Sequence, residues 1–328
     1  MAKLNFEQFI KKIDQLEEAN ILVTALEFRI FTHLDIKGLT APVLSRRARI
    51  QPEGAEALLN SLVSLGALKK SKKTFLNTPE SYKHFCERSP EYKKGTIFLR
   101  KVNRKEWSNL THILKKGRNV SKNDEDDPEF RKPFTYAMHE RSQIYSRPLT
   151  QFVTRKSVGK LIDIGGGPGS YSAAILKHDK AAKAVLIDRP ASLKIAKKIL
   201  KNTSVIKRFR FQAGDLFSAE FGDDADTILY SNILHIYSES ENSIIFEKIN
   251  NSLKPGGRFI LVDFFLKNNR TEPIDAALFS LTMLQFTATG RTYTFEETEK
   301  LLKKHGFSKF KRCGIGQGSS LIEAIKMR

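Results

Sequence analysis

Leu161 to Gly169, read as LIDIGGGPG, runs an apolar strand directly into a turn with four glycines, and no other stretch of the chain restricts the fold so strongly. Glycines let the backbone adopt positive φ and approach a ligand closely, and in open α/β sheets ligands bind where strands end in such turns. A helix is expected from about Ser170. Beyond Lys160 the same texture repeats: KLIDIG, KAVLID, RFRFQAGD, DTILYS and RFILVDFF alternate with stretches of helical patterning. Alternation of this kind predicts a mostly parallel sheet covered by helices on both faces.

The first part of the chain has a different texture. Apolar residues recur at helical spacing through Ile21, Leu22, Ala25, Leu26, Leu58, Leu59, Leu62, Val63 and Leu65, which predicts short amphipathic helices. Thr40 before Ala41, Pro42 and Val43 reads as a helix cap with proline in the first turn, and Gly66 as a helix stop. Leu68 to Leu76, interrupted by lysines, predicts a two-stranded wing, so the segment reads as a winged-helix module. Trp107, Leu110 and Leu114 belong to further helical pattern, and the acidic stretch Asp124 to Glu129 reads as a loop. A chain of 328 residues is comfortable as two domains. The expected division is 1–90 as the winged-helix domain, 91–153 as a helical connector that contributes to the substrate pocket, and 154–328 as the Rossmann-like catalytic domain.

Bulk properties exclude several classes. No apolar run approaches the roughly 20 residues needed to span a bilayer, and the charged opening MAKLNFEQFIKK is no signal-peptide core; a cytoplasmic location is expected. Cys86 and Cys313 stand far apart without metal-ligand spacing, so neither a disulfide framework nor a structural metal is expected. The net charge of +20 raises the question of a nucleic-acid partner. Lysines and arginines exceed acids by 17 to 11 over residues 1–100, by 12 to 7 over 101–155 and by 27 to 18 over 156–328. That spread reads as diffuse, and its densest run, Lys69, Lys70, Lys72 and Lys73, as the solvated face of a hairpin.

Three features sharpen the glycine turn into a nucleotide site. Its spacing is Asp163-x-Gly165-x-Gly167-x-Gly169, with Ser170 where the dinucleotide fingerprint wants a small Gly or Ala, which disfavours a nicotinamide cofactor. Asp188 closes the next strand about 20 residues on, the offset at which a carboxylate accepts both ribose hydroxyls. Asp215, in Ala-Gly-Asp-Leu-Phe, can accept from an adenine amine while Leu216 or Phe217 packs on the ring. Lys254-Pro-Gly-Gly then forms the turn before RFILVDFF.

With these stations in this order, the chain resembles the class I S-adenosylmethionine (SAM)-dependent methyltransferases. Over nearly its whole length it resembles one branch, the small-molecule O-methyltransferases of the caffeic-acid and acetylserotonin type. The marks of that branch are Ala25-Leu-Glu-Phe with Phe31 and Leu34, Leu58 to Gly66, Trp107-Ser-Asn-Leu with Gly117, Phe134 to Met138, Gly290-Arg291-Thr292, and Leu301 to Phe307. The resemblance implies an α/β fold: a Rossmann-like methyltransferase domain on a mostly parallel seven-stranded sheet, with an N-terminal all-α winged-helix domain that dimerises rather than binds DNA. It implies SAM as cofactor, held by Asp163, Gly165, Gly166, Gly167, Gly169, Asp188, Arg189, Gly214, Asp215, Leu216, Phe217, Ser231 and Asn232. It implies a hydroxylated aromatic or polyketide-like acceptor in a pocket faced by Met138, His139, Ser142, Phe279, Met283 and Phe286. A homodimer is expected, without membrane or nucleic-acid partners.

His235, in Ser231-Asn-Ile-Leu-His-Ile-Tyr, matches the position of the family's catalytic base, and Asp263 the carboxylate that orients it. A neutral imidazole is a natural proton acceptor near pH 7. Two departures stand out. The family's His-Asp-Trp is His235-Ile236-Tyr237 here, and a second acid common in the plant enzymes falls at Gly290. Three other readings compete: a nucleic-acid methyltransferase, which would need an Asn-Pro-Pro-Tyr-type turn or a Pro-Cys nucleophile that the chain lacks; a SAM-binding regulator without turnover; and a nicotinamide-dependent dehydrogenase.

Overall fold

A computed structural model describes residues 3–118 and 127–328. Of the loop expected over Asp124 to Glu129, residues 124–126 lie outside the described residues, and Pro128 and Glu129 are helical rather than loop, because Asp127 caps a helix that begins at Pro128. Two compact units form, Met1–Ser108 and Asn109–Arg328.

The first unit comprises α1 (Phe6–Glu27), α2 (Ile30–Leu34), β1 (Leu39–Thr40), α3 (Ala41–Ala48), α4 (Pro52–Ser64), β2 (Leu68–Ser71), β3 (Thr74–Asn77), α5 (Pro79–Phe85) and α6 (Lys94–Trp107). Thr40 stands at the N-cap position of α3 without a side-chain hydrogen bond to it, Pro42 lies in the first turn, and Gly66 takes positive φ just beyond α4. The lysine-bearing hairpin pairs β2 with β3. The wing has a third strand that the pattern did not announce: β1 pairs with β3 through Leu39 and Thr40, so the unit is not wholly helical. Two residues are too short a run for periodicity to register. Ile30, Phe31, Leu34, Leu44, Leu59, Leu62 and Phe75 form its buried core. Asn5 and Gln8 close a capping box at the start of α1.

The second unit opens with α7 (Leu110–Lys116) and the 26-residue α8 (Pro128–Val153). β4 (Lys160–Ile164), α9 (Ser170–His178), β5 (Lys183–Asp188), α10 (Pro190–Leu200), β6 (Phe209–Ala213), β7 (Ala225–Ser231), α11 (Glu239–Ser252) and β8 (Leu253–Phe264) then alternate. α12 (Ile274–Phe286), α13 (Phe295–Lys304), β9 (Phe307–Gly316) and β10 (Ser319–Lys326) complete it. The seven strands lie in the order β6-β5-β4-β7-β8-β10-β9, parallel except for β10, which runs antiparallel to both neighbours. The mostly parallel seven-stranded sheet expected from the sequence is present.

Strand side chains alternate between the two faces. Ile162, Ile164, Ile228, Tyr230, Phe259 and Leu261 join one core with Phe246 and Ile249 of α11 and Leu301 and Leu302 of α13. Leu161, Leu229, Ile260 and Val262 join the other with Leu149 and Phe152 of α8 and Ile175 and Leu176 of α9. Both faces are therefore dry, which is why these strands read as continuous apolar runs. Strand order reverses between β4 and β7, so their carboxyl ends diverge and leave a crevice for a ligand.

Trp107 closes α6, and Leu110 and Leu114 lie in α7, as the helical pattern implied, with Ile97 and Ile113 taking the buried places of those helices. One expectation needs correction: the positive charge is not diffuse over the last part of the chain. Residues 177–210 hold eleven lysines and arginines against two acids, whereas the rest of 156–328 balances sixteen bases against sixteen acids. Lys177, Lys180, Lys183, Lys194, Lys197, Lys198, Lys201, Lys207 and Arg210 are all exposed. Several of them, with Lys160 and Arg208, line an open concavity at the amino ends of β4, β5 and β6.

Candidate active site

The glycine turn after β4 supplies the floor. Gly165, Gly167 and Gly169 have φ of +64°, +54° and +68°, values that L side chains adopt only with strain. A β-carbon at Gly167 would project into open space beside the turn, so the glycine keeps a cradle clear rather than merely relieving a clash. At Gly166 a β-carbon would instead strike Leu186 and Asp163. The Gly165 N–H is tied to the Ile187 carbonyl at 2.8 Å.

Two buried carboxylates brace the turn. Asp188, at the end of β5, accepts from the Gly167 N–H at 2.7 Å and from the Arg189 N–H at 2.7 Å. Burial pushes its pKa up, and those two backbone donors oppose the rise. Asp163 accepts from the Ser172 hydroxyl, while its Oδ1 has no partner. Burial, with Asp188 nearby, drives Asp163 to about 7 despite that hydroxyl. A carboxylate short of donors in a dry site holds its proton.

The next two strand ends complete the crevice. Gly214 follows β6 and donates to the Asp188 carbonyl at 3.1 Å. Asp215 accepts from the Phe217 N–H at 2.8 Å and faces the Arg189 guanidinium at 3.3 Å. Leu216 is buried, and Phe217 meets Tyr237 edge-on at 5.2 Å. After β7, Asn232 takes φ +57°, its N–H bonded to the Val262 carbonyl at 2.8 Å and its side chain to the Ser231 hydroxyl at 2.9 Å. A non-glycine residue in this conformation is held there by its surroundings. Ile233 lies against Gly165, which brings the β7 loop beside the glycine turn.

His235 sits in that loop, 7% exposed. Asp263 Oδ1 is 2.7 Å from His235 Nδ1 and also accepts from the Phe264 N–H at 2.7 Å, while Oδ2 accepts from the His235 N–H at 3.3 Å. An acceptor already engaged by two backbone donors makes Nδ1 the protonated nitrogen and leaves Nε2 with a lone pair. The ring packs edge-on to Phe279 at 4.8 Å, and Phe279 packs on Phe264 at 4.8 Å. Phe279, Met283 and Phe286 share one face of α12 by their spacing. On α8, His139 Nδ1 is 2.8 Å from the Ser170 hydroxyl, so this candidate pocket residue meets the start of α9. Met138 is half-buried; Ser142 is buried with its hydroxyl spent on the His139 carbonyl at 2.7 Å.

Sequence reasoning missed the residues that hold the His235 loop. Asn242 on α11, fully buried, reaches the Leu234 and Tyr237 carbonyls at 3.0 and 3.1 Å and accepts from the Tyr230 hydroxyl at 3.0 Å. The Tyr293 hydroxyl donates to the Tyr237 carbonyl at 2.7 Å. Burial raises the pKa of both phenols, which keeps them protonated donors. Asn242 in ESENS looks like a solvated polar residue, and only the capping box at Ser238 and Glu241 hinted at a structured start to α11. Gly290 is explained too. A β-carbon there would stand 2.6 Å from the Ile236 carbonyl oxygen and closer still to that of His235. No second acid could be carried at this position without moving the His235 loop.

The chain matches the model of the O-methyltransferase domain family over residues 103–308. Among curated proteins it is 27% identical over 317 residues to the tetracenomycin polyketide synthesis 8-O-methyl transferase of Streptomyces glaucescens, covering 94% of this chain and 93% of that one. It is 25% identical over 300 residues to the 3-hydroxy-5-methyl-1-naphthoate 3-O-methyltransferase of Streptomyces sahachiroi, covering 89% and 87%. Among solved structures, human N-acetylserotonin methyltransferase in complex with SAM superposes with a TM-score of 0.85 at 22% identity, over all of both chains, which shows a shared fold. With more than half its length matched by the family model and the glycine turn, paired acids and His235 loop in one crevice, the chain belongs to the O-methyltransferase family and is a SAM-dependent O-methyltransferase.

Proposed function

We propose that this enzyme methylates a hydroxyl of a small aromatic or polyketide-like molecule, with His235 as general base. The observation that carries the reading is the His235–Asp263 pair, 2.7 Å apart and buried beside the glycine turn. The names of the two Streptomyces relatives, a polyketide and a naphthoate O-methyltransferase, support an aromatic acceptor.

The residues present fit SAM: the cleared cradle at Gly167 for its amino-acid portion, Asp188 for the ribose hydroxyls, and Asp215 with Leu216 and Phe217 for the adenine. Asp163, Gly165, Gly166, Gly169, Arg189, Gly214, Ser231 and Asn232 complete this donor set as its frame. When bound, SAM supplies a methyl group already activated by its sulfonium. The chain's own residues then have a modest task. Nε2 of His235 takes the acceptor's hydroxyl proton, and Asp263 holds the ring in the tautomer that makes this possible and stabilises the imidazolium formed. Phe279, Met283 and Phe286, with Met138, His139 and Ser142, exclude water and align the acceptor, which converts a bimolecular encounter into an oriented one. Ile236 and Gly290 leave His235 without a second acid, so Asp263 alone orients it.

Incubation with labelled SAM and a panel of hydroxylated aromatics and polyketides should give transfer by the wild type and at least about a hundredfold slower transfer by His235→Ala. An unchanged rate would remove the base role. No calorimetric heat with millimolar SAM would overturn the donor assignment.

The same reading includes a homodimer formed through the first unit. Phe6, Phe9, Ile10, Ile13 and Leu16 form an exposed apolar stripe along α1, a surface that monomeric proteins seldom leave open. Sedimentation equilibrium should return twice the chain mass at micromolar concentration; a monomer there contradicts it. We place the enzyme in the cytoplasm, a reading that the two unpaired cysteines support. Among the described residues no helix is long and apolar enough to cross a membrane.

A further inference from the structure

We propose that Arg118 is a positioning residue for methyl transfer, fixing α12 and the Gly290 segment as one wall against His235. The inference rests on the acceptor pocket argued above.

α7 ends at Gly117, whose φ of +86° turns the chain so that Arg118 reaches the far end of α12. One guanidinium nitrogen donates to the carbonyls of Met283 at 3.2 Å and Thr287 at 2.9 Å and to the Thr287 hydroxyl at 3.1 Å. The other donates to the Gly290 carbonyl at 2.7 Å. The Met283 carbonyl also accepts from the Thr287 N–H at 3.1 Å and its hydroxyl at 2.6 Å; the carbonyl end of a helix carries partial negative charge, so a half-buried cation with planar donors is matched to it. Burial lowers the Arg118 pKa, yet a guanidinium remains charged throughout the working range.

The two nitrogens grip different things. One secures α12, which carries Phe279 edge-on to the His235 ring. The other secures Gly290, whose backbone packs so tightly on the His235 and Ile236 carbonyls that no β-carbon fits. A single side chain thereby sets the spacing between the aromatic wall of the acceptor pocket and the loop that bears the base. Misplacement by about 1 Å in such a site can cost on the order of a hundredfold in rate.

Arg208 provides the control. It clamps the carbonyls of Asp179 at 2.9 Å, Lys180 at 3.0 Å and Ala182 at 2.9 Å, and also that of Leu176, at the end of α9 remote from the glycine turn. Arg118→Ala, Arg118→Lys and Arg208→Ala are compared in melting temperature, SAM affinity by calorimetry, and kcat and KM for the best hydroxylated aromatic of the panel. For Arg118→Ala we expect acceptor KM to rise at least about tenfold and kcat to fall, with SAM affinity within about twofold of wild type. Arg118→Lys should restore part of the KM, because one ammonium meets only some of the carbonyls. Arg208→Ala should lower the melting temperature without moving KM. Unchanged acceptor kinetics in Arg118→Ala, or SAM affinity falling in step with acceptor KM, overturns the proposal. If the wild type transfers methyl to no acceptor, the proposed function itself fails, and that outcome is seen before any variant is made.

Discussion

The two ends of the parallel sheet are built from the same strands and share almost nothing else. At the carboxyl ends of β4, β5 and β7 lie glycines, backbone N–H groups, the buried Asp163, Asp188 and Ser231, and the half-buried Asn232, with the starts of α9 and α10 alongside. At the amino ends lie Lys160, Lys183, Lys207, Arg208 and Arg210, with the finishing turns of α9 and α10 and their Lys177, Lys197 and Lys198. Helix polarity accounts for much of the contrast. Helix starts present positive partial charge and unpaired N–H groups, which suit acids and an electron-rich ligand; helix finishes present carbonyls, which suit cations. At the first end Asp188 is buried and braced by two backbone N–H groups. Among the described residues, the nine exposed bases of residues 177–210 form no ion pair.

Substitutions at the two ends should separate cleanly. Asp188→Asn should weaken SAM binding by at least about thirtyfold, because bonds to a charged acceptor are worth on the order of 1.5–3 kcal/mol each. The triple change Lys183→Glu, Lys207→Glu and Arg210→Glu should leave SAM affinity within about twofold, since exposed charges are screened beyond roughly 10 Å. Calorimetry on both proteins reads the difference; equal losses would dissolve the contrast between the two ends.

A smaller effect tests the electrostatics of the glycine turn. Asp163 has its pKa raised to about 7 from an ordinary value of 3.8. A carboxyl raised in the folded state contributes stability that is complete below the ordinary value, declines as pH rises, and is gone above about 7. The melting temperature of the wild type should therefore fall between pH 5 and pH 8 by a few degrees more than that of Asp163→Asn, whose amide cannot titrate. Parallel curves in differential scanning fluorimetry would show that the Asp163 carboxyl is not raised into this range.

What could be read from the sequence follows from how each feature is encoded. The glycine turn, with Asp188 and Asp215 after it, could be located because strand ends and backbone conformation fix their places within short stretches, whereas His235 and Asp263 were placed by their match to the family's positions. Arg118 was not: in LTHILKKGRNV it resembles one more solvated cation, and only the fold brings α7 to the end of α12. Asn242 and Tyr293 were hidden for the same reason, since their partners are carbonyls of a loop that is distant in the chain for Tyr293 and irregular for both. Gly290 looked like the loss of an acid, whereas its neighbours show a steric requirement. The charge count suffered from window size: averaging over 156–328 hid a concentration within 177–210.

That one-sided distribution gives the catalytic unit a direction in an electric field. On a sulfonated chromatography bead or a carboxylated sensor chip at low ionic strength, it would settle with the amino ends of its strands toward the support. The glycine turn after β4 lies at the opposite ends of the same strands, so contact through the basic face would leave it untouched.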